Sequence, residues 1–216
     1  MNFWPWIMIP VGYLAGSFPT AYLLGRVRGL DLRRMGSGSL GGSNAGQFIG
    51  FWAFLLVAAV DIAKVVIVTQ LALLWSRDLW LAGATGLAAL AGHNWSLYLR
   101  WIGGRGVGAA LGVLLVLFPI GWVVVLLPAL IAKFLRRDAL GNGLGFVALP
   151  IVAFLMRQPD PIVWTCTGLL FLVMVKRLAA NGAPIPPERR WNVLRNRLLH
   201  DRDVGPDEAW VERAPV

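Results

Sequence analysis

Residues 48–75 read FIGFWAFLLVAAVDIAKVVIVTQLALLW, and Asp61 and Lys64 are the only charges among them. About 20 consecutive apolar residues form a helix long enough to cross the hydrocarbon layer of a bilayer, so this stretch reads as a membrane span. Charges inside a span are expensive unless they pair or face a polar cavity. Asp61 and Lys64 are three residues apart and share one helix face. Two readings therefore stay open: a structural ion pair, or a Lys64 turned toward an anionic substrate.

Similar apolar runs recur along the whole chain. The spans drawn from them are roughly Phe3–Leu24, Phe48–Trp75, Leu79–Leu99, Val107–Phe118, Ile120–Phe134, Leu144–Met156 and Pro161–Val175. The expected fold is all-α, a polytopic membrane bundle of about seven transmembrane helices. Pro119, Pro128 and Pro150 blur the ends of the three short spans, and five or six spans result if one segment is re-entrant. Composition agrees: 57% of the 216 residues are hydrophobic, mean hydropathy is +0.66, and 14% are charged. Soluble domains carry about 25% charged residues.

Charge placement orients the bundle. With the N-terminus outside, Arg26, Arg28, Arg33, Arg34, Arg100, Arg105, Lys133, Arg136, Arg137 and the tail from Lys176-Arg177 onward fall in the cytoplasm. The opposite side holds Arg77 and Arg157. The positive-inside rule then predicts N-out, C-in and an odd number of spans. It also accounts for much of the net charge of +9, from 20 Lys+Arg against 11 Asp+Glu. The basic residues are scattered over short loops and a tail, which argues against nucleic-acid binding. Cys166 is the single cysteine, which excludes an intrachain disulfide or a cysteine metal site. Met1-Asn2-Phe3-Trp4-Pro5 lacks the basic start of a signal peptide and reads as the beginning of the first span.

The predicted cytoplasmic side collects three glycine-rich, polar or basic segments. Gly36-Ser37-Gly38-Ser39-Leu40-Gly41-Gly42-Ser43-Asn44-Ala45-Gly46 reads as a loop between spans. Its glycines free backbone N–H groups and its serines add hydroxyls, a combination suited to phosphate or carboxylate. Gly92-His93-Asn94-Trp95 ends the third span, and Gly103-Gly104-Arg105-Gly106 opens the fourth. A glycine turn, a fixed cation and a helix N-terminus together suit an anion. Arg136-Arg137-Asp138-Ala139-Leu140-Gly141-Asn142-Gly143 is the third. No Gly-x-Ser-x-Gly elbow is present, and neither His93 nor His200 has an aspartate five positions later. Direct transfer between two bound substrates fits these residues better than a covalent acyl-enzyme.

These segments resemble, in order and spacing, the PlsY family, the acyl-phosphate-dependent glycerol-3-phosphate acyltransferases of bacterial membranes. Gly16-Ser17-Phe18-Pro19, Gly29-Leu30-Asp31-Leu32-Arg33 and Gly36 to Asn44 are similar to its first motif region. Asp61 and Lys64 match an Asp-x-x-Lys that follows. Gly92-His93, Gly103 to Val107 and Ala110-Leu111-Gly112-Val113 resemble its second motif. The match covers most of residues 12–120, weakens from about 133 to 180, and does not reach the tail. The resemblance implies a seven-helix bundle in the bacterial cytoplasmic membrane with its active site at the cytoplasmic face. It implies acyl transfer from acyl phosphate to the 1-hydroxyl of sn-glycerol 3-phosphate, giving 1-acylglycerol 3-phosphate and phosphate. The implied partners are those two small molecules and membrane lipid; no metal or coenzyme A is implied, and a monomer is expected.

By position, the resemblance assigns Ser37, Lys64, His93 and Arg105 to catalysis. Phosphate or substrate binding falls to Arg33, Gly36, Gly38, Ser39, Gly41, Ser43, Asn44, Gly103, Gly104, Gly106, Asn142, Lys176 and Arg177. The chain departs from the family pattern at several places. Ser39 replaces an asparagine, Gly42 and Ser43 replace Ala-Thr, Ser96 replaces a proline, Ile102 a lysine, and Arg105 another lysine. Lys176-Arg177-Leu178-Ala179 stands where the family carries His-Arg-x-Asn. Two alternatives accordingly stand beside the main reading: the same chemistry on another acceptor, or a silent protein that binds lipid or a partner.

Residues 1–180 read as the membrane domain and 181–216 as a polar cytoplasmic tail. Ala183-Pro184-Ile185-Pro186-Pro187 is a stiff connector. Glu188–His200 is expected to be a short helix with Trp191, Leu194 and Leu198 on one face. It would lie on an anionic membrane surface or pack on the bundle.

Overall fold

The computed structural model of the chain describes residues 4–135 and 137–203. Phe3, Arg136 and the tail beyond 203 lie outside the described residues, as does the side chain of Asp138. All regular structure among the described residues is helical. Three segments are long and apolar enough to cross a membrane: Trp4–Val27, Phe51–Ser76 and Asp160–Gly182. Val107–Leu117, Gly121–Phe134 and Ala139–Leu155 are shorter apolar helices. The chain divides into two compact units, before and after the Pro119–Ile120 junction.

The first unit contains α1 (Met8–Gly16), α2 (Thr20–Val27), α3 (Gly42–Ile49), α4 (Phe51–Ser76), α5 (Leu79–Asn94) and α6 (Val107–Leu117). α4 takes up residues 51–75 of the apolar run and is unbroken through Asp61 and Lys64. α1 crosses α5 closely because small residues meet there. A side chain at Gly16 would strike the main chain of Ala89, and one at Gly92 would strike the Tyr13 carbonyl. Such contacts replace the hydrophobic driving force that lipid does not supply. α6 seats Gly112 against Ile62 and Val65 of α4 in the same way.

Two features of this unit depart from the sequence reading. The first span is broken between Gly16 and Thr20, because Pro19 lacks an N–H and disfavours helical geometry at Phe18. The second half of the Gly/Ser segment is a helix, α3, where a loop was expected. Glycine has poor helix propensity, but here it allows contact: Gly42 and Gly46 lie directly under Phe54 of α4. Gly50 makes the turn between α3 and α4 at φ +126°, a conformation open to glycine. A small core of Ala21, Leu32, Leu40, Ala45, Ala53 and Val57 locks this region together.

The second unit contains α7 (Gly121–Phe134), α8 (Asp138–Leu155), α9 (Asp160–Ala179) and α10 (Arg190–His200). α8 begins at Asp138, well before the expected Leu144. Its early glycines are contact surface: Gly145 lies against Val124 and Val125 of α7, and Gly141 against Pro128 and Ala129. Both α7 and α8 run through their prolines, Pro128 and Pro150. Membrane helices tolerate proline where neighbouring groups re-satisfy the freed backbone. The tail helix forms close to where it was expected, preceded by a 3-10 turn at Pro187–Arg189.

Candidate active site

The break in the first span begins the site. Phe18 ends outside helical pairing, and its carbonyl accepts from Lys64 Nζ at 2.9 Å and from the Thr20 N–H at 3.1 Å. The same Lys64 Nζ donates to Asp61 Oδ1 at 2.9 Å. Asp61 Oδ1 also accepts from the Thr20 hydroxyl at 3.3 Å and lies 3.6 Å from His93 Nδ1. Lys64 Nζ and His93 Nδ1 are 3.4 Å apart. One carboxylate from α4 thus gathers a lysine one turn on, a histidine from the end of α5 and a hydroxyl from the start of α2. All three ionisable side chains are nearly sealed: 5% exposed for Asp61, 9% for Lys64 and 6% for His93.

His93 joins this cluster to the second glycine segment. Its main-chain carbonyl accepts from the Gly104 N–H at 3.0 Å. A side chain at Gly104 would run into His93 Nε2, and one at Gly103 into the carbonyls of His93 and Asn94. The imidazole is therefore held with Nδ1 toward Asp61 and Lys64 and Nε2 against the glycine turn. The Gly103 carbonyl accepts from the Leu40 N–H at 3.1 Å, tying the two glycine segments together. A cleft opens at this junction, lined by Ser17, Phe18, Pro19, Leu40, His93, Ser96, Leu99, Ile102, Gly103 and Gly104.

Among the residues named from sequence, Lys64, His93, Gly103 and Gly104 come together here. Gly106 caps α6 at φ +85°, packed on Asn94 and Leu90. Arg105 precedes it with Nε and Nη1 shielded from solvent. Ser37 and Arg105 are not among the residues lining the cleft. In the Gly/Ser segment, Ser37 Oγ accepts from the Ser39 N–H at 3.3 Å, and Ser39 is buried. Gly41 faces only the Ser39 hydroxyl, and Ser43 is exposed on the first turn of α3. Asn44 is turned inward: its Nδ2 donates to the carbonyls of Leu32 and Met35 at 3.1 and 3.2 Å. Gly36 packs against Asn44 and Phe48, and the Gly38 N–H donates to the Met35 carbonyl at 2.9 Å. Arg33 forks onto Asp31 at 2.9 and 2.7 Å and lies 4.8 Å above the Tyr22 ring. The Arg33 hydrogen bond holds the Asp31 carboxyl down at about 2. Reciprocally, bonding to Asp31 raises the Arg33 pKa.

Asn142, Lys176 and Arg177 belong to the second unit. Lys176 Nζ, fully buried, donates to Asn181 Oδ1 at 2.7 Å. Arg177 donates to the carbonyls of Leu198 and Ala139, each at 3.0 Å, and fills the space beside Gly143. Asn142 Oδ1 is enclosed near the start of α8. No three His, Cys, Asp or Glu side chains group together among the described residues.

The sequence pattern did not single out Thr20, and Ser96 stood out only as a departure from the family's proline. The signal for Thr20 was Pro19, which ends one helix and lets the next begin beside Asp61. Ser96 replaces the family's proline with a hydroxyl that donates to the Ser17 carbonyl at 2.6 Å. Ile102, in place of a lysine, lines the cleft and packs on the Leu32–Leu40 core.

A family model described as glycerol-3-phosphate acyltransferase matches residues 6–183. Glycerol-3-phosphate acyltransferase 4 of Dehalococcoides mccartyi (strain CBDB1) is 37% identical over 215 residues, covering 96% of this chain and 93% of the relative. Among solved structures, the fold is similar to that of PlsY, an integral membrane glycerol 3-phosphate acyltransferase. Its glycerol 3-phosphate form superposes with a TM-score of 0.77 at 24% identity, covering 92% of this chain and 94% of that one. Its lysophosphatidic acid form gives a TM-score of 0.74 at 22% identity, covering 92% and 93%.

Proposed function

We infer the activity from the family: the chain belongs to the glycerol-3-phosphate acyltransferases, and we propose that it acylates the 1-hydroxyl of sn-glycerol 3-phosphate with acyl phosphate as donor. The hydroxyl oxygen forms a bond to the acyl carbon, the bond from that carbon to the phosphate oxygen breaks, and the hydroxyl proton leaves with inorganic phosphate. The product is 1-acylglycerol 3-phosphate. We place the reaction at the cytoplasmic face of a bacterial inner membrane with the N-terminus outside, from the Lys/Arg asymmetry of the loops.

The observation that carries this reading is the junction of the Lys64–Asp61–His93 cluster with the Gly103–Gly104 turn and the Gly/Ser segment. Acyl phosphate is an activated mixed anhydride, so holding two phosphate-bearing substrates in line supplies much of the rate. Backbone N–H groups and fixed cations then stabilise charge on the reacting oxygens. Lys64 and Asp61 fix the His93 ring, and Gly104 leaves room for it. Arg33, Arg105 and the serines of residues 37–43 supply charge and hydroxyls for phosphate.

The test is transfer from acyl phosphate to labelled glycerol 3-phosphate by purified protein in lipid nanodiscs. Lysophosphatidate should form with release of one phosphate per acyl group. A folded protein that forms none above background would overturn the proposal. Ile102 at the cleft favours a second reading, another small polyol phosphate as acceptor. Competition among such phosphates in the same assay decides between them, and preference for glycerol 3-phosphate removes the second.

A further inference from the structure

The tail helix α10 packs with the opposite face from the one its apolar residues define. Its inward face is Val193, Asn196 and Arg197. Arg197, 1% exposed, donates to the carbonyls of Leu178 and Ala183 at 2.8 and 3.0 Å and to Asp203 at 2.6 Å. Arg177 of α9 reaches back to the Leu198 carbonyl. These bonds fasten α10 beside the C-terminal end of α9, a membrane span. Its outward face carries Trp191, 81% exposed, with Leu198 and Leu199 at 38% and 40%. At about 100° per residue, Trp191, Arg195 and Leu198 fall on one side and Val193 on the other. Arg189, Arg190 and Arg195 are exposed around that apolar stripe; the acids among the described residues of the tail are Glu188, Asp201 and Asp203, and Asp203 is bonded to Arg197.

We propose that this outward face lies in the anionic headgroup layer of the membrane that the chain itself spans. Trp191, Leu198 and Leu199 enter the interface while Arg189, Arg190 and Arg195 hold lipid phosphates. Position selects this occupant, because hydrogen bonds to Leu178 and Ala183 keep the helix where the span ends. Charge selects it too: a second copy would set Arg195 faces against each other, whereas acidic headgroups complement them. Tryptophan favours the headgroup level, and each arginine near an anionic surface strengthens association about fivefold. The family model ends at residue 183, so this surface lies beyond the residues that the model matches.

The test uses the full chain with Cys166→Ala and a fluorophore sensitive to polarity on Leu198→Cys. It compares nanodiscs of phosphatidylcholine alone with nanodiscs containing phosphatidylglycerol. We expect a blue shift and quenching by nitroxides on the lipid chains, both larger with phosphatidylglycerol. Arg189→Gln, Arg190→Gln and Arg195→Gln together should abolish the gain. Trp191→Cys, labelled in the same way, repeats the measurement if the first variant fails to assemble. A probe that stays open to aqueous quenchers in both lipids overturns the proposal. So does shielding that appears only when two copies share a disc, which assigns the face to a second copy.

Discussion

Two buried clusters of cationic side chains in this chain are neutralised in different ways. In the first unit, Lys64 and His93 share one carboxylate, Asp61, across three helices. In the second, Lys176, Arg177 and Arg197 are directed mainly at an amide and main-chain carbonyls, with Asp203 at the edge. The first arrangement concentrates charge next to a cleft and leaves a ring nitrogen facing a turn without side chains. The second satisfies helix-end carbonyls and fastens elements together. The same residue types thus form the candidate reaction centre in one place and a joint in the other. The difference lies in where the carboxylate sits: Asp61 is buried at the centre of the first cluster, whereas Asp203 meets Arg197 at the edge of the second, which is otherwise directed at the backbone and an amide.

Asp61 is the residue on which the first cluster depends most. Asp61→Ala leaves Lys64 buried without its carboxylate, and removing one partner of a buried pair destabilises by about 3–5 kcal/mol. We expect a large fall in thermal stability in detergent and loss of acyl transfer. Asp61→Asn keeps the shape and should recover part of the stability while transfer stays low. If Asp61→Asn transfers normally, the cluster is a joint like the one in the second unit.

A smaller change keeps every charge and moves only the ring. Gly104→Ala places a methyl where His93 Nε2 sits, so the imidazole must shift. A displacement near 1 Å in a reacting site costs about 100-fold in rate. The expected result is that loss in kcat with a modest drop in thermal stability. Unchanged kcat would show that the His93 ring position does not matter to transfer.

The sequence displayed the fold and the site unevenly, and the reasons are physical. The run around Asp61 announces a span because lipid admits little else. The break at Pro19 was written in the residue itself. α3 and the start of α8 were hidden, because their glycines argue locally for loops and make sense only against Phe54 or Val125. Asp61 and Lys64 could be paired from spacing. His93 reaches them only through the close α1–α5 crossing and the packing of both helices on α4, which no local pattern encodes. Asn44 was assigned to a ligand by position, and its amide is directed to the Leu32 and Met35 carbonyls.

Arg197 fastens the second cluster. Arg197→Met removes bonds to Leu178, Ala183 and Asp203. Buried charged hydrogen bonds contribute about 1.5–3 kcal/mol each when they are made, but Asp203 and the helix end can recover water, so about 2 kcal/mol is expected. Limited proteolysis should cut the 183–187 connector faster, while transfer falls far less than with Asp61→Ala. Equal losses of transfer in the two variants would show that the joint belongs to the reaction.

The smallest effect is expected at Asp31 and Arg33, where the ion pair is open to water. Arg33 bonding holds the Asp31 carboxyl at about 2, below the usual value of 3.8. A depressed carboxylate contributes stability that is complete above its unfolded value and disappears as pH falls through its folded one. The contribution is therefore constant from neutral pH down to about 4 and is lost between there and about 2. Because the side chains are 32% and 18% exposed, the pair contributes at most about 1 kcal/mol. Asp31→Asn should lower melting at neutral pH by at most about 4 °C, flatten the acid limb of the stability curve, and free Arg33 from its fork. If Arg33 holds substrate phosphate, that release changes KM for glycerol 3-phosphate without a matching change in kcat. An Asp31→Asn enzyme with both constants unaltered would assign Arg33 to the Tyr22 face alone and remove it from the phosphate site.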